Sequence, residues 1–248
     1  LLLWVGIRLI KSVGADLSIE VYRRTLYQPF RVHVARNSNE VISGVIQKVD
    51  LATGVLMSVV TLVTSLMLFT AILITLLVID PIVASTAAFP FGIFYVLIAW
   101  FSRKKLSNNG KQIAHNQTQV VKSLQEGLGA IRDIILDSSQ TIYCAVYGKS
   151  ITQLQRADSE NTFINQAPRY FMEMVGLVLV SGLAYSLSYK SGDIATSLPV
   201  LGALALGAQK LLPLLQQIYG SWATMKGGQA ALVDVLELLD QPLQTYIA

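Results

Sequence analysis

The sequence predicts an all-α, polytopic membrane protein, and three observations carry that expectation. Of the 248 residues, 53% are hydrophobic and only 14% are charged, well below the roughly 25% charge of a soluble domain. Residues 51–79 and 81–102 contain no charged side chain, and either stretch satisfies the requirement of about 20 apolar residues for a helix that crosses a bilayer. The polar remainder is not low in complexity, and the chain holds only 7 prolines, so helices are expected to continue through it.

Five membrane helices are expected, near 1–10, 51–79, 81–102, 170–189 and 194–216. The apolar stretch Leu1 to Ile7 opens the chain without the basic region of a signal peptide, and is expected to be a helix clipped at its start. Asp80-Pro81 joins the second and third helices as a tight hairpin, because proline cannot extend the pairing of the helix before it. Lys190-Ser191-Gly192-Asp193 makes the corresponding polar turn between the last two.

Basic residues set the expected orientation, since lysine and arginine near membrane spans stay on the cytoplasmic side. Arg8, Lys11, Arg23, Arg24, Arg31, Arg36 and Lys48 precede the second span. Arg103, Lys104, Lys105, Lys111, Lys122, Arg132, Lys149, Arg156 and Arg169 follow the third, whereas the opposite turns offer only Lys190. Segments 11–50 and 103–169 are therefore expected in the cytoplasm of a multi-pass protein of the bacterial inner (plasma) membrane. The lone Cys144 excludes a disulfide framework, His33 and His115 are too far apart to suggest a metal site, and no basic run interleaved with aromatics points to nucleic acid.

Each cytoplasmic segment reads as a helical hairpin with a short tip. Helical spacing of Val13, Leu17, Val21 and Leu26 carries the first helix inward until Pro29 breaks it. Asn37-Ser38-Asn39-Glu40 then matches a capping box that starts the next helix. In the second segment the helical pattern runs from Arg103 to Leu136, Asp137-Ser138-Ser139-Gln140 again matches a capping box, and a short helix is expected at about Ser138 to Tyr147. Helical arms of about 25 residues reach on the order of 40 Å, which places both tips well outside a bilayer.

With these elements in order, the chain resembles the transmembrane domain of ATP-binding-cassette exporters of the type I class. The resemblance rests on Leu26-Tyr27-Gln28-Pro29-Phe30 with Asn37 to Ser43 and Asp50, on Glu126-Gly127-Leu128-Gly129-Ala130-Ile131-Arg132-Asp133, and on the stretch Ala231 to Pro242. Gly44 departs from the family, which commonly has a basic residue there. The stretches Gly127 to Asp133 and Leu198 to Pro213 are most similar to exporters that flip lipid-linked oligosaccharides.

The resemblance implies a transmembrane domain over 1–240, truncated at its N-terminus, and the start of a linker at 241–248. It implies coupling to a nucleotide-binding ATPase domain, in the same chain or a separate one, through two tips. One tip is Gln28, Pro29, Phe30, Arg31 and Asn37, and the other is Ser138, Ser139, Gln140, Ile142 and Tyr143. A homo- or heterodimer of such domains would form the pathway by alternating access. No GxxxxGK[ST] motif occurs in the sequence, so ATP and Mg2+ are implied only for the absent domain. Catalytic side chains are not evident in this chain, and the complete transporter would be an ATP-hydrolysing translocase.

Lys210 stands out within the fifth span because a charge in a membrane helix is costly, about 2.5 to 3.5 kcal/mol on insertion scales. With Gln217, Arg169 and Arg103 it forms a candidate set for attracting an anionic headgroup such as a pyrophosphate. The plainer alternative is that Lys210 snorkels to the membrane edge. Glu173 is expected to pair with Arg169 along the helix. Two other function classes compete: a secondary transporter, which would need broken helices around midplane charges, and a membrane scaffold or receptor that docks a signalling domain on its hairpins.

Overall fold

The computed structural model describes residues 2–31, 44–79, 81–191 and 194–241. Among them every regular element is helical and no strand occurs, so the all-α expectation holds. The order is α1 (Leu2–Leu26), a single π-helical turn (Gly44–Lys48), α2 (Val49–Ile79), α3 (Pro81–Gly129), α4 (Ile131–Leu136), α5 (Gln140–Ser191) and α6 (Ile194–Leu239). The five stretches expected to be membrane helices fall in α1, α2, α3, α5 and α6. One helix among the described residues, Ile46–Val78, is long and apolar enough to cross a membrane, and only 6% of its apolar window is buried.

The chain divides into two compact units. The first comprises 1–57, 104–162 and 224–248, and the second comprises 58–103 and 163–223.

In the first unit, Val21 of α1, Val49 and Ala52 of α2 and Val235 and Leu238 of α6 form one buried apolar cluster, with Leu17, Leu232 and Leu239 packed against it. Burying such side chains stabilises a fold by about 1.5–3 kcal/mol each. α6 also crosses α3 at backbone contact. A Cβ on Gly110 would collide with the carbonyl of Gly227, and one on Gly228 would collide with the Val55 side chain. Only glycine permits this approach, as in closely packed helix pairs generally. Beside the crossing, Glu160 of α5 accepts a hydrogen bond from Asn109 of α3 (3.3 Å) and pairs with Lys105 (3.4 Å).

Local chemistry explains where these helices stop. α1 ends at Leu26 because Pro29 has no N–H to continue the ladder. The Gln28 side-chain amide donates to the Arg24 carbonyl at 3.2 Å, satisfying one of the orphan acceptors of the last turn.

At the second reversal, the expected short helix at about Ser138 to Tyr147 does not stand alone. α5 starts at Gln140 and continues for 52 residues, through Pro168; past the expected end at Tyr147 only Gly148 interrupts the side chains up to Gln166, and no proline stops the helix there. The separate short helix is α4, immediately before the turn. The capping residue also shifts. Asp137 closes α4 as its C-cap, and its backbone N–H donates to Asp133, while Ser139 directly precedes α5.

The second unit leaves many large apolar side chains exposed. Its interior holds Tyr95, Tyr219, Ser65 and Ser221 beside Phe91, Met172 and Leu211, all buried. Its surface exposes Met67, Leu68, Ile74, Val78, Phe89, Val96, Trp100, Phe101, Met174, Leu177 and Val178. Ring contacts order the interior: Tyr95 lies 5.5 Å from Tyr219, and Phe94 stacks on Phe171 at 5.0 Å.

Two consequences are measurable. Gly110→Ala is expected to lower stability by about 2–3 kcal/mol, because its methyl meets backbone rather than a movable side chain; thermal unfolding in detergent checks this. The hydrogen bond from Asn109, then Lys105, holds the Glu160 carboxyl below its ordinary range. A group shifted this way contributes stability above its ordinary range and loses it as pH falls through the lowered value. Between about pH 6 and pH 3 the melting temperature of Glu160→Gln is therefore expected to fall less than that of the unaltered chain.

Candidate functional site

In the second unit, α5 and α6 line an open cleft of about 840 Å³. Asn165, Gln166, Arg169, Glu173, Gly176, Leu177 and Ser181 line it from α5, and Gln209, Leu212, Pro213, Gln216 and Gln217 line it from α6. The α6 residues recur at helical spacing, so one face of that helix presents a stripe in which the glutamines at 209, 216 and 217 flank the apolar Leu212 and Pro213. Such a stripe would be unusual on a helix facing only lipid, where unpaired polar groups are costly.

Hydrogen bonds and ion pairs tie part of this lining down. The Arg169 guanidinium donates through Nε to Glu173 at 2.9 Å, the pairing that four-residue spacing implies. Ser65 of α2 donates to the Gln217 carboxamide oxygen at 2.9 Å. The Tyr219 hydroxyl donates to the Ile164 carbonyl at 3.0 Å, joining α6 to α5 just below the cleft residues. By contrast, Gln216 Nε2 is buried with no hydrogen-bond partner, and this donor belongs to a cleft-lining side chain.

Of the four candidate pathway residues, the structure brings Arg169 and Gln217 together in the cleft lining. Lys210 and Arg103 are exposed and lie outside that lining. Lys210 follows Gln209 directly, and one residue turns a helix by about 100°, enough to carry it off that stripe. Arg169 and Glu173, the two charged residues of the lining, balance each other. The cleft therefore offers amide and hydroxyl hydrogen bonding with little net charge, which weakens the case for anion attraction at this place.

Sequence reading assigned no role to Asn165, Gln166, Gln209 or Gln216. The signal was present in the recurrence of glutamine along 209–217, but its value depends on α5 lying opposite, which a single helix does not reveal.

The coupling candidates fall in the first unit. Phe30 is 80% exposed at the end of α1, with Gln28, Pro29 and Arg31 beside it, whereas Asn37 lies outside the described residues. At the second tip, Ile142 and Tyr143 are exposed on the first turn of α5. Leu128, Ile131, Ile135 and Leu136 add further exposed apolar surface on α3 and α4.

The turn that shapes this tip is a Schellman closure of α4. Ser139 N–H donates to the Ile134 carbonyl at 3.0 Å, and Ser138 N–H donates to the Ile135 carbonyl at 3.4 Å. Ser138 sits at φ 52°, the one non-glycine residue with positive φ among the described residues, in the place where this motif usually has glycine. A left-handed conformation costs an L-residue about 1–2 kcal/mol.

Ser138→Gly is accordingly expected to raise stability, by up to about 1 kcal/mol after the entropy of glycine is counted, and Ser138→Val is expected to lower it; both are read by thermal unfolding. Among the described residues no cluster of three or more histidine, cysteine, aspartate or glutamate side chains could hold a metal ion. The chain matches no protein-family model and no curated protein.

Proposed function

We propose that this chain is the membrane-spanning part of an ATP-driven exporter or flippase of the ATP-binding-cassette class. The observation that carries the reading is the exposed apolar surface of the second unit. Large apolar side chains are exposed along its helices, around an interior that holds Tyr95, Tyr219, Ser65 and Ser221 and beside an open cleft lined in part by polar side chains. In water such a surface would drive association, because exposed apolar patches beyond a few hundred Å² mark membrane or protein contacts. In a bilayer it is the favourable arrangement, because apolar side chains then face hydrocarbon.

Helix Ile46–Val78 supports the same reading, since an apolar helix of a soluble core would be mostly buried and this one is not. On this reading the chain is polytopic, with α1, α2, α3, α5 and α6 in the membrane and the segments 11–50 and 103–169 in the cytoplasm. The cleft of α5 and α6 contributes to the substrate pathway. The tips at Gln28–Arg31 and Ser138–Tyr143 dock on ATPase domains carrying ATP and Mg2+. The family assignment itself rests on the sequence resemblance, and the exposed Phe30, Ile142 and Tyr143 suit a docking role because they are apolar side chains left outside the core.

Cys144, the single cysteine and an exposed one, tests the topology without any substitution. A membrane-impermeant maleimide is expected to leave it unlabelled in intact spheroplasts and to label it after permeabilisation. Labelling in intact spheroplasts would overturn the orientation. In liposomes holding the complete transporter, ATP is expected to drive translocation of a fluorescent lipid-linked oligosaccharide. Phe30→Ala and Tyr143→Ala are expected to keep ATP hydrolysis while cutting translocation about tenfold, a coupling loss of about 1.4 kcal/mol. Unchanged transport per ATP in both variants would count against coupling at these tips.

A further inference from the structure

The last turns of α6 are held by charges from two other helices. Lys48, the final residue of the π-helical turn, pairs with Asp234 of α6 at 2.6 Å, and its side chain is only 8% exposed. Arg24 of α1 donates to the carbonyls of Leu239 and Gln241, where α6 ends. Glu20 fixes that arginine from below, accepting from its Nε at 2.7 Å. Between the two ties lies the apolar cluster of Val21, Val49, Ala52, Val235 and Leu238.

The π turn does not otherwise suit its surroundings. Ile46 is 66% exposed, and the carboxamide oxygen of the adjacent Gln47 is buried without a partner. A π turn is intrinsically poorer than α-helix and persists where tertiary contacts hold it. Its single charged residue, Lys48, makes such a contact, and a buried lysine deprived of its carboxylate would be strongly disfavoured.

We propose that the Lys48–Asp234 pair is a latch that makes the π turn and the C-terminal end of α6 open and close as one. The pair couples displacement of the α6 terminus into the start of the apolar helix α2. Because Asp234 is 34% exposed, it can be rehydrated when the latch opens, while Lys48 stays shielded on its own helix only as long as the partner is present. The inference stands on the first unit alone and does not depend on the chain being a transporter.

Hydrogen exchange followed by mass spectrometry on the full chain in detergent tests it. Lys48→Met keeps the apolar stem, removes the buried charge and leaves Asp234 free to reach water, so the variant is expected to fold with little change in melting temperature. Exchange is expected to rise about tenfold, through local opening, in Gly44–Lys48 and in Val235–Leu239 together. It is expected to stay unchanged at the Gly110 crossing and along 209–217. The reversed pair Lys48→Asp with Asp234→Lys is expected to restore protection in both segments. A rise confined to one segment, a rise throughout the chain, or no change would each overturn the latch, and so would failure of the reversed pair to protect when it is folded.

Discussion

Helix α6 can lie against α3 only because Gly110 and Gly227 present no side chains to each other, and most of the first unit follows from that contact. Glycine within a helix costs roughly 1 kcal/mol against alanine, and Lys226-Gly227-Gly228-Gln229 would by propensity alone mark a break. The helix nevertheless runs unbroken to Leu239. Close approach lets Ala231, Val235 and Leu238 reach full burial on the following turns. The same approach brings Asp234 within 2.6 Å of Lys48. A buried lysine left without its carboxylate is strongly disfavoured, so the glycine contact also determines whether that lysine is tolerated.

The second unit depends on a different constraint, the choice of which helical faces meet. α6 turns Gln209, Gln216 and Gln217 toward α5, and α5 answers with Asn165, Arg169 and Glu173. Aliphatic and aromatic side chains are left on the outside. In water such exposed apolar faces would favour association, whereas in hydrocarbon they would be at home. Arg169 and Glu173 balance each other, so the cleft lining carries little net charge. The two tips of the first unit differ in the same spirit: one ends at a proline that cannot continue a helix, and the other at a serine held in a left-handed conformation.

Much of the helical plan was legible in the residues. Charge-free runs identified α2 and the start of α3, Pro29 marked the end of α1, and four-residue spacing foretold the Arg169–Glu173 pair. The second tip was misread in detail. Asp137-Ser138-Ser139-Gln140 contains several residues able to cap, and a capping pattern does not say which one is in the cap position. That choice was made by the two backbone hydrogen bonds that close α4. Lys210 drew attention as a charge in an apolar helix, yet the stripe that faces α5 is one residue away, and only the packing of two helices distinguishes the two directions.

By itself, the sequence determined that the chain is helical, where its long apolar segments lie and where helices must stop, because these depend on hydropathy, periodicity and the missing N–H of proline. The tertiary structure decided which faces pair, why Gly227 and Gly228 sit inside a helix, and that Lys48 and Asp234, far apart in the chain, meet in a partly buried pair. The reason is that local preferences act within a few residues. Close crossing, burial and charge pairing are settled between residues that the chain separates by as much as 217 positions.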